Sequence, residues 1–162
     1  MQIRHMPDDP HKHLRRLERV WLESPVYFAT ACTYRRQPIL AATAVADILT
    51  EEWRAAAERH RWLVGRYVIM PDHVHFFCSV QSNAKRLSEF VRLWKQWTTK
   101  RAVAALAKRG PARLWQQGFF DHVLRSEESY AQKWEYVRQN PVRAGLISHA
   151  EDWPFQGEIL RL

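Results

Sequence analysis

The sequence predicts one α+β domain, a central and mostly antiparallel β-sheet with helices packed on it, and three observations carry that prediction. Strand-like stretches rich in β-branched and aromatic residues alternate with helical periodicity in the order β, α, β, β, α, β, α. Two of those strand-like stretches are separated only by a short turn at Pro71-Asp72, which suits antiparallel neighbours. The chain has 162 residues, 46% of them hydrophobic, which suits one core, and no repeat, low-complexity stretch or convincing domain boundary divides it.

Residues 1–25 are polar and basic, with His11, Lys12, His13, Arg15, Arg16 and Arg19, and read as an arm or short peripheral helix ahead of a domain at 26–162. Residues 26–33 are β-branched and aromatic and predict a strand, followed by a basic turn at 34–38. A helix is expected over 42–60, with Thr43 as N-cap and Val45, Ile48, Leu49, Trp53 and Ala56 at helical spacing. Strands return at 62–70 and 73–80. Residues 84–108 predict a long helix whose apolar face carries Leu87, Phe90, Val91, Trp94 and Trp97. Gly110-Pro111 ends it, and 119–125 reads as another strand. The last helix starts at Ser126, with Glu127 and Glu128 favourable in its first turn, and stops near Asn140 because Pro141 disfavours helical geometry just before it. The remainder reads as an irregular or short-strand closing segment.

Charge says more about partners. Twenty-five Lys and Arg against 17 Asp and Glu give a net charge of +8 and a pI near 9.9. Such an excess attracts polyanions, and nucleic acid is the expected partner. Arg35 and Arg36 in the first turn, Arg92, Lys95 and Lys100 on the long helix, and Lys108, Arg109 and Arg113 after it are the expected phosphate contacts. No uncharged run is long enough to span a bilayer, and the first ten residues lack the apolar stretch of a secretory signal, so a soluble protein of the cytoplasm, associated with the nucleoid, is expected. Cys32 and Cys78 sit inside strand-like runs and are expected to be buried thiols, not a disulfide or zinc site.

Two residue pairs can carry chemistry. His73 and His75 stand two apart in a strand and therefore point to the same face, with Val74 turned into apolar cover. Such a pair can share one cation; a mixed histidine and oxygen or amide site suits Mn²⁺ or Mg²⁺ in phosphoryl transfer, imidazole alone also accepts Zn²⁺, and hydrogen-bonded histidines without a metal are the plainer alternative. Tyr136 and Asn140 are four apart on the last helix and share a face. A phenol there can act as a nucleophile, whereas a Tyr packed on the sheet and an Asn serving the helix end is the structural alternative. Tyr130 lies about 600° earlier around the helix and is off that face. His122 is a candidate base by its polar strand position, with a structural hydrogen bond as its other role. The sequence has no His-Glu-x-x-His and no His-x-Ser/Thr, which speaks against zinc proteases and two-histidine phosphoesterases.

Tyr67-Val68-Ile69-Met70-Pro71-Asp72-His73-Val74-His75 resembles the strand, turn and metal-binding strand of REP-associated tyrosine transposases, relatives of the single-tyrosine HUH transposases. Trp115-Gln116, residues 119–125, Tyr136 through Leu146 and Asp152-Trp153-Pro154-Phe155 follow the same family's C-terminal pattern, so the likeness runs from about 26 to 155. The resemblance implies a ferredoxin-like central antiparallel sheet with helices packed on it. It makes His73 and His75 the metal pair, Tyr136 the catalytic tyrosine and Asn140 the third polar group for Mg²⁺ or Mn²⁺. It implies single-stranded DNA carrying a hairpin as partner, cut and rejoined through a 5′-phosphotyrosine. A domesticated, non-catalytic hairpin-binding protein is the alternative, and monomer and homodimer both stay open.

Overall fold

The computed structural model describes residues 25–106 and 112–162, so the basic arm at 1–24 and the segment with Lys108 and Arg109 lie outside the described residues. Strands β1 (Val26–Cys32), β2 (Trp62–Ile69), β3 (His73–Val80), β4 (Phe120–Leu124) and β5 (Gln156–Glu158) form one antiparallel sheet in the order β4-β1-β3-β2-β5. The Pro71-Asp72 turn joins β2 to β3, closed by the Met70 amide donating to the His73 carbonyl over 2.8 Å. Each strand sends alternate side chains to opposite faces. From β1 and β3, Ala29, Ala31, Val74, Phe76 and Cys78 enter one apolar cluster, and Val26, Phe28 and Phe77 enter another.

Helices α1 (Thr43–Arg54), α2 (Ala56–His60) and α3 (Leu87–Ala105) accompany the larger cluster. Its centre is aromatic: Trp53 stacks on Trp94 with ring centroids 5.2 Å apart and 2° between planes, and both contact Phe76. The single helix expected over 42–60 is two, interrupted at Ala55 (φ −78°, ψ −9°), although Ala55 and Arg59 still donate to the carbonyls four residues back. Ala42, not Thr43, is the N-cap. The long helix starts later than its pattern suggests because Arg86 is extended (φ −60°, ψ 150°). Glu52, buried on α1, accepts from Arg59 and Arg101 and so ties α1 to α2 and α3.

Helices α4 (Glu127–Arg138) and α5 (Asn140–Arg143) serve the opposite face. Ser126 caps α4, its hydroxyl accepting from the Ser129 amide, as the sequence predicted. Val137 of α4 joins Phe28, Phe77, Leu124 and Trp153 in the second cluster, and Tyr130 and Trp134 pack on Phe77. The closing segment includes a true strand, β5, which pairs with β2. Strand β2 has a bulge between Val64 and Tyr67, and the closing residues pass close to it: a Cβ at Gly65 would stand 2.8 Å from the Leu162 side chain. Among the described residues no helix is long and apolar enough to cross a membrane.

Trp53 holds the larger cluster together through three aromatic partners, Tyr67, Phe76 and Trp94. Trp53→Ala should cost about 3–5 kcal/mol, measured as a fall in the urea midpoint without loss of cooperativity.

Candidate active site

β3 carries His73 and His75 on the α4 side of the sheet, and Val74 between them is fully buried on the other side. The two imidazole centroids are 4.8 Å apart with planes at 82°. His73 Nδ1 is 2.7 Å from a carboxylate oxygen of Asp72, and the Arg36 Nε donates to the other oxygen over 2.9 Å. Burial pushes the Asp72 carboxyl up, but the hydrogen bonds and charges of His73 and Arg36 outweigh it and hold the group below the usual carboxylate range. His75 Nδ1 is 2.8 Å from Thr30 Oγ1, its direct partner across β1, and its ring stacks on Phe28 at 5.3 Å. Burial, helped by the charges of His73, Lys133, Arg143 and Arg36, lowers its pKa to about 3, so the imidazole is neutral at physiological pH. With Nδ1 of each ring engaged, Nε2 is the atom left to ligate a cation.

Tyr136 belongs to α4 but not to its buried face. Tyr130, Trp134 and Val137 pack on the sheet, whereas Tyr136 is 62% exposed. Lys133, one turn earlier, stands over the Phe28 ring at 5.0 Å, and His75 stacks on the same ring. Three residues advance a helix by 300°, so Tyr136 lies roughly 60° from Lys133 on the same flank. Tyr130 is packed against Phe77, in keeping with its place off the Tyr136 face.

The segment after Tyr136 has its own design. Pro141 opens α5, where its missing N–H is harmless, so helical geometry resumes after Gln139 instead of ending. Gly145 (φ +72°) stops it: its amide donates to the Val142 carbonyl and the Leu146 amide donates to the Pro141 carbonyl, the Schellman pattern. This turn places Arg143 over the Tyr136 ring at 4.2 Å, where its guanidinium donates to the Tyr136 carbonyl over 2.8 Å and to the Asn140 amide oxygen.

The structure therefore brings His73 and His75 together, ties Tyr136 and Asn140 through Arg143, and gives His75 the charges of Lys133 and Arg143 as neighbours. The Asn140 oxygen faces a guanidinium here, not the imidazoles. Among the described residues no group of three or more His, Cys, Asp and Glu could hold a metal, so the histidine pair would need oxygen ligands of another kind. Arg143, Lys133, Asp72 and Thr30 escaped the sequence reading. Asp72 and Arg143 lie inside the two motif blocks; Lys133 carried only its spacing of three from Tyr136, and Thr30 no signal at all.

The expected phosphate contacts divide. Lys95 departs from expectation: its ammonium donates to the carbonyls of Gln116 (2.9 Å) and Gly118, and burial lowers its pKa to about 8. Thr98, one turn on, accepts from Trp115 Nε1, so this side of α3 anchors a loop. Arg36 is paired with Asp72, Arg35 and Arg113 flank the Tyr34 ring at 5.2 and 5.0 Å, and Lys100 lies 5.2 Å from the Trp97 ring. Arg92 reaches Gln96 at 3.5 Å on an exposed stretch of α3. His122 is opposite Phe28 on β4.

The domain's antiparallel sheet with helices matches a solved structure described as the REP-associated tyrosine transposase bound to a REP hairpin, with TM-score 0.68, 23% identity, and 82% of this chain and 75% of that one covered. A REP-associated tyrosine transposase of Escherichia coli (strain K12) is 25% identical over 92 residues, which cover 57% of this chain and 52% of that protein. The match thus spans about half the length of this curated relative. The class is a transposase domain. A model of the family described as Transposase IS200 like matches residues 24–140, and the chain belongs to that family.

Gly145→Ala puts a side chain into a left-handed position and should cost about 1–2 kcal/mol. Thermal melts would show the lowered midpoint, with the far-UV spectrum unchanged.

Proposed function

We propose that this protein nicks and rejoins single-stranded DNA beside a folded hairpin, using Tyr136 as nucleophile and a Mg²⁺ or Mn²⁺ ion held by His73 and His75. The observation that carries the reading is the pair of imidazoles whose Nδ1 atoms are both engaged, on the sheet face flanked by an exposed tyrosine. The donor set fits a divalent cation: the Nε2 atoms of two neighbouring imidazoles, one ring neutral and the other oriented by a carboxylate. Asn140 completes the set only by exchanging the Arg143 guanidinium for the ion. Bound there, the ion would neutralise charge developing on the scissile phosphate.

The chain's own residues account for the rest. Tyr136 Oη gives up its proton to water and forms a bond to phosphorus while the bond from phosphorus to the 3′-oxygen breaks; the 3′-oxygen departs with the electron pair and takes up a proton, and the 5′-phosphate remains on the enzyme. That ester conserves the energy of the broken bond, so the 3′-oxygen of the same or another strand can displace the tyrosine without a nucleotide cofactor. Arg143 limits the motion of an otherwise exposed phenol, and its charge with that of Lys133 favours an incoming phosphate. Hairpin recognition rests on the net charge of +8 and on the similar structure bound to a REP hairpin. Arg35 and Arg113 beside Tyr34, together with Arg92 and Lys100, are the groups that contact phosphate.

With Mn²⁺ and a labelled single strand containing a hairpin, the protein should form an adduct that survives SDS electrophoresis. Tyr136→Phe and the double variant His73→Ala/His75→Ala should form none; an adduct on Tyr136→Phe would refute the assignment. Hairpin binding without any adduct in the native chain would favour the non-catalytic reading. Independently of activity, Asp72→Asn should weaken Mn²⁺ binding by about 10–100-fold, read by calorimetry or by the spectrum of free Mn²⁺.

A further inference from the structure

Phe120 is an apolar side chain left in water where the fold had other choices. It is 61% exposed, a degree matched among the exposed large apolar residues by Tyr136. It stands on β4, an edge strand, whose other end is covered: Leu124 is buried in the second cluster beside Val26 and Val137. Phe120 and Leu124 are four apart in one strand and share a face. That face is therefore roofed at Leu124 and open at Phe120.

Register shows what the open end adjoins. Phe120 is directly opposite Thr30 on β1, and Thr30 is directly opposite His75 on β3, so the three side chains form one row on one face. The Thr30 hydroxyl is hydrogen-bonded to His75 across that row. Adjacent strands are about 4.8 Å apart, which puts Phe120 roughly 10 Å from His75 along the row. Phe28 and His122, paired across the next row on this face, continue the floor, with Lys133 above Phe28.

We infer that Phe120 is a stacking platform for an unpaired DNA base, adjacent to the phosphate that lies over the histidines. This deepens the reading given above and rests on it. A planar apolar ring recognises the face of any base without reading its edges, so the platform is tolerant of sequence. The occupant is nucleic acid because the row leads to the imidazoles, and Lys133, over the Phe28 ring on which His75 stacks, is a cation that favours a polyanion over an apolar peptide.

The test uses the full chain carrying Tyr136→Phe, without metal, so that binding is measured apart from cleavage. Two probes of equal length and charge are compared by fluorescence anisotropy: a short oligothymidylate, and the same deoxyribose-phosphate strand without bases. Phe120→Ala should weaken oligothymidylate binding about 10-fold or more and leave the abasic strand unaffected. Phe120→Trp should restore the lost affinity, and Phe120→Leu, apolar but not aromatic, should not. Equal binding by Phe120→Ala and its parent, or an equal loss on both probes, overturns the proposal. So does a change in sedimentation with Phe120→Ala, which would mean that the β4 edge pairs two copies of the chain. None of these results depends on whether Tyr136 forms an adduct.

Discussion

Along β3 the side chains alternate between two environments, and every feature of the site depends on that two-residue period. Val74, Phe76 and Cys78 are fully buried in the aromatic cluster with α1 and α3, while His73 and His75 emerge on the opposite side. A slip of one residue in the β1–β3 register would exchange the sets, driving imidazoles into an apolar core and turning Val74, Phe76 and Cys78 out of it. The cost of that exchange fixes the register. Register in turn sets Thr30 beside His75 and Cys32 beside His73, so the packing of one face orients the polar groups of the other.

Much of this was legible because it is local. Residues 73–80 carry a strand pattern that the structure keeps without change, and Ser126 caps the last long helix where its sequence context places it. Strand β5 had no such signature: three residues with a glycine in the middle pair with β2 because that edge is available, a tertiary cause. The division of the first helix at Ala55 has no breaker residue to announce it. Lys95 shows the same limit for function. A lysine on the polar side of a helix reads as free charge, yet its ammonium is held by carbonyls 21 and 23 residues away.

The tyrosine helix illustrates a division of labour between motif and contact. Residues 140–146 form a start, a single helical turn and a stop, and each part has a backbone reason: proline for the first turn, glycine for a left-handed exit. Arg143 is the side chain this turn delivers. The block mounts one guanidinium, and the relation of Tyr136 to Asn140 runs through it.

That mount has an evolutionary corollary. Because a single cation holds the carbonyl and ring of Tyr136 and the amide of Asn140, replacements at the three positions are energetically coupled and their effects do not sum. Once a lineage loses any member of the trio, selection on the other two relaxes. The three should vary as a unit, and the histidines keep their geometry when they do, because its support comes from Thr30 and Asp72 and not from the helices.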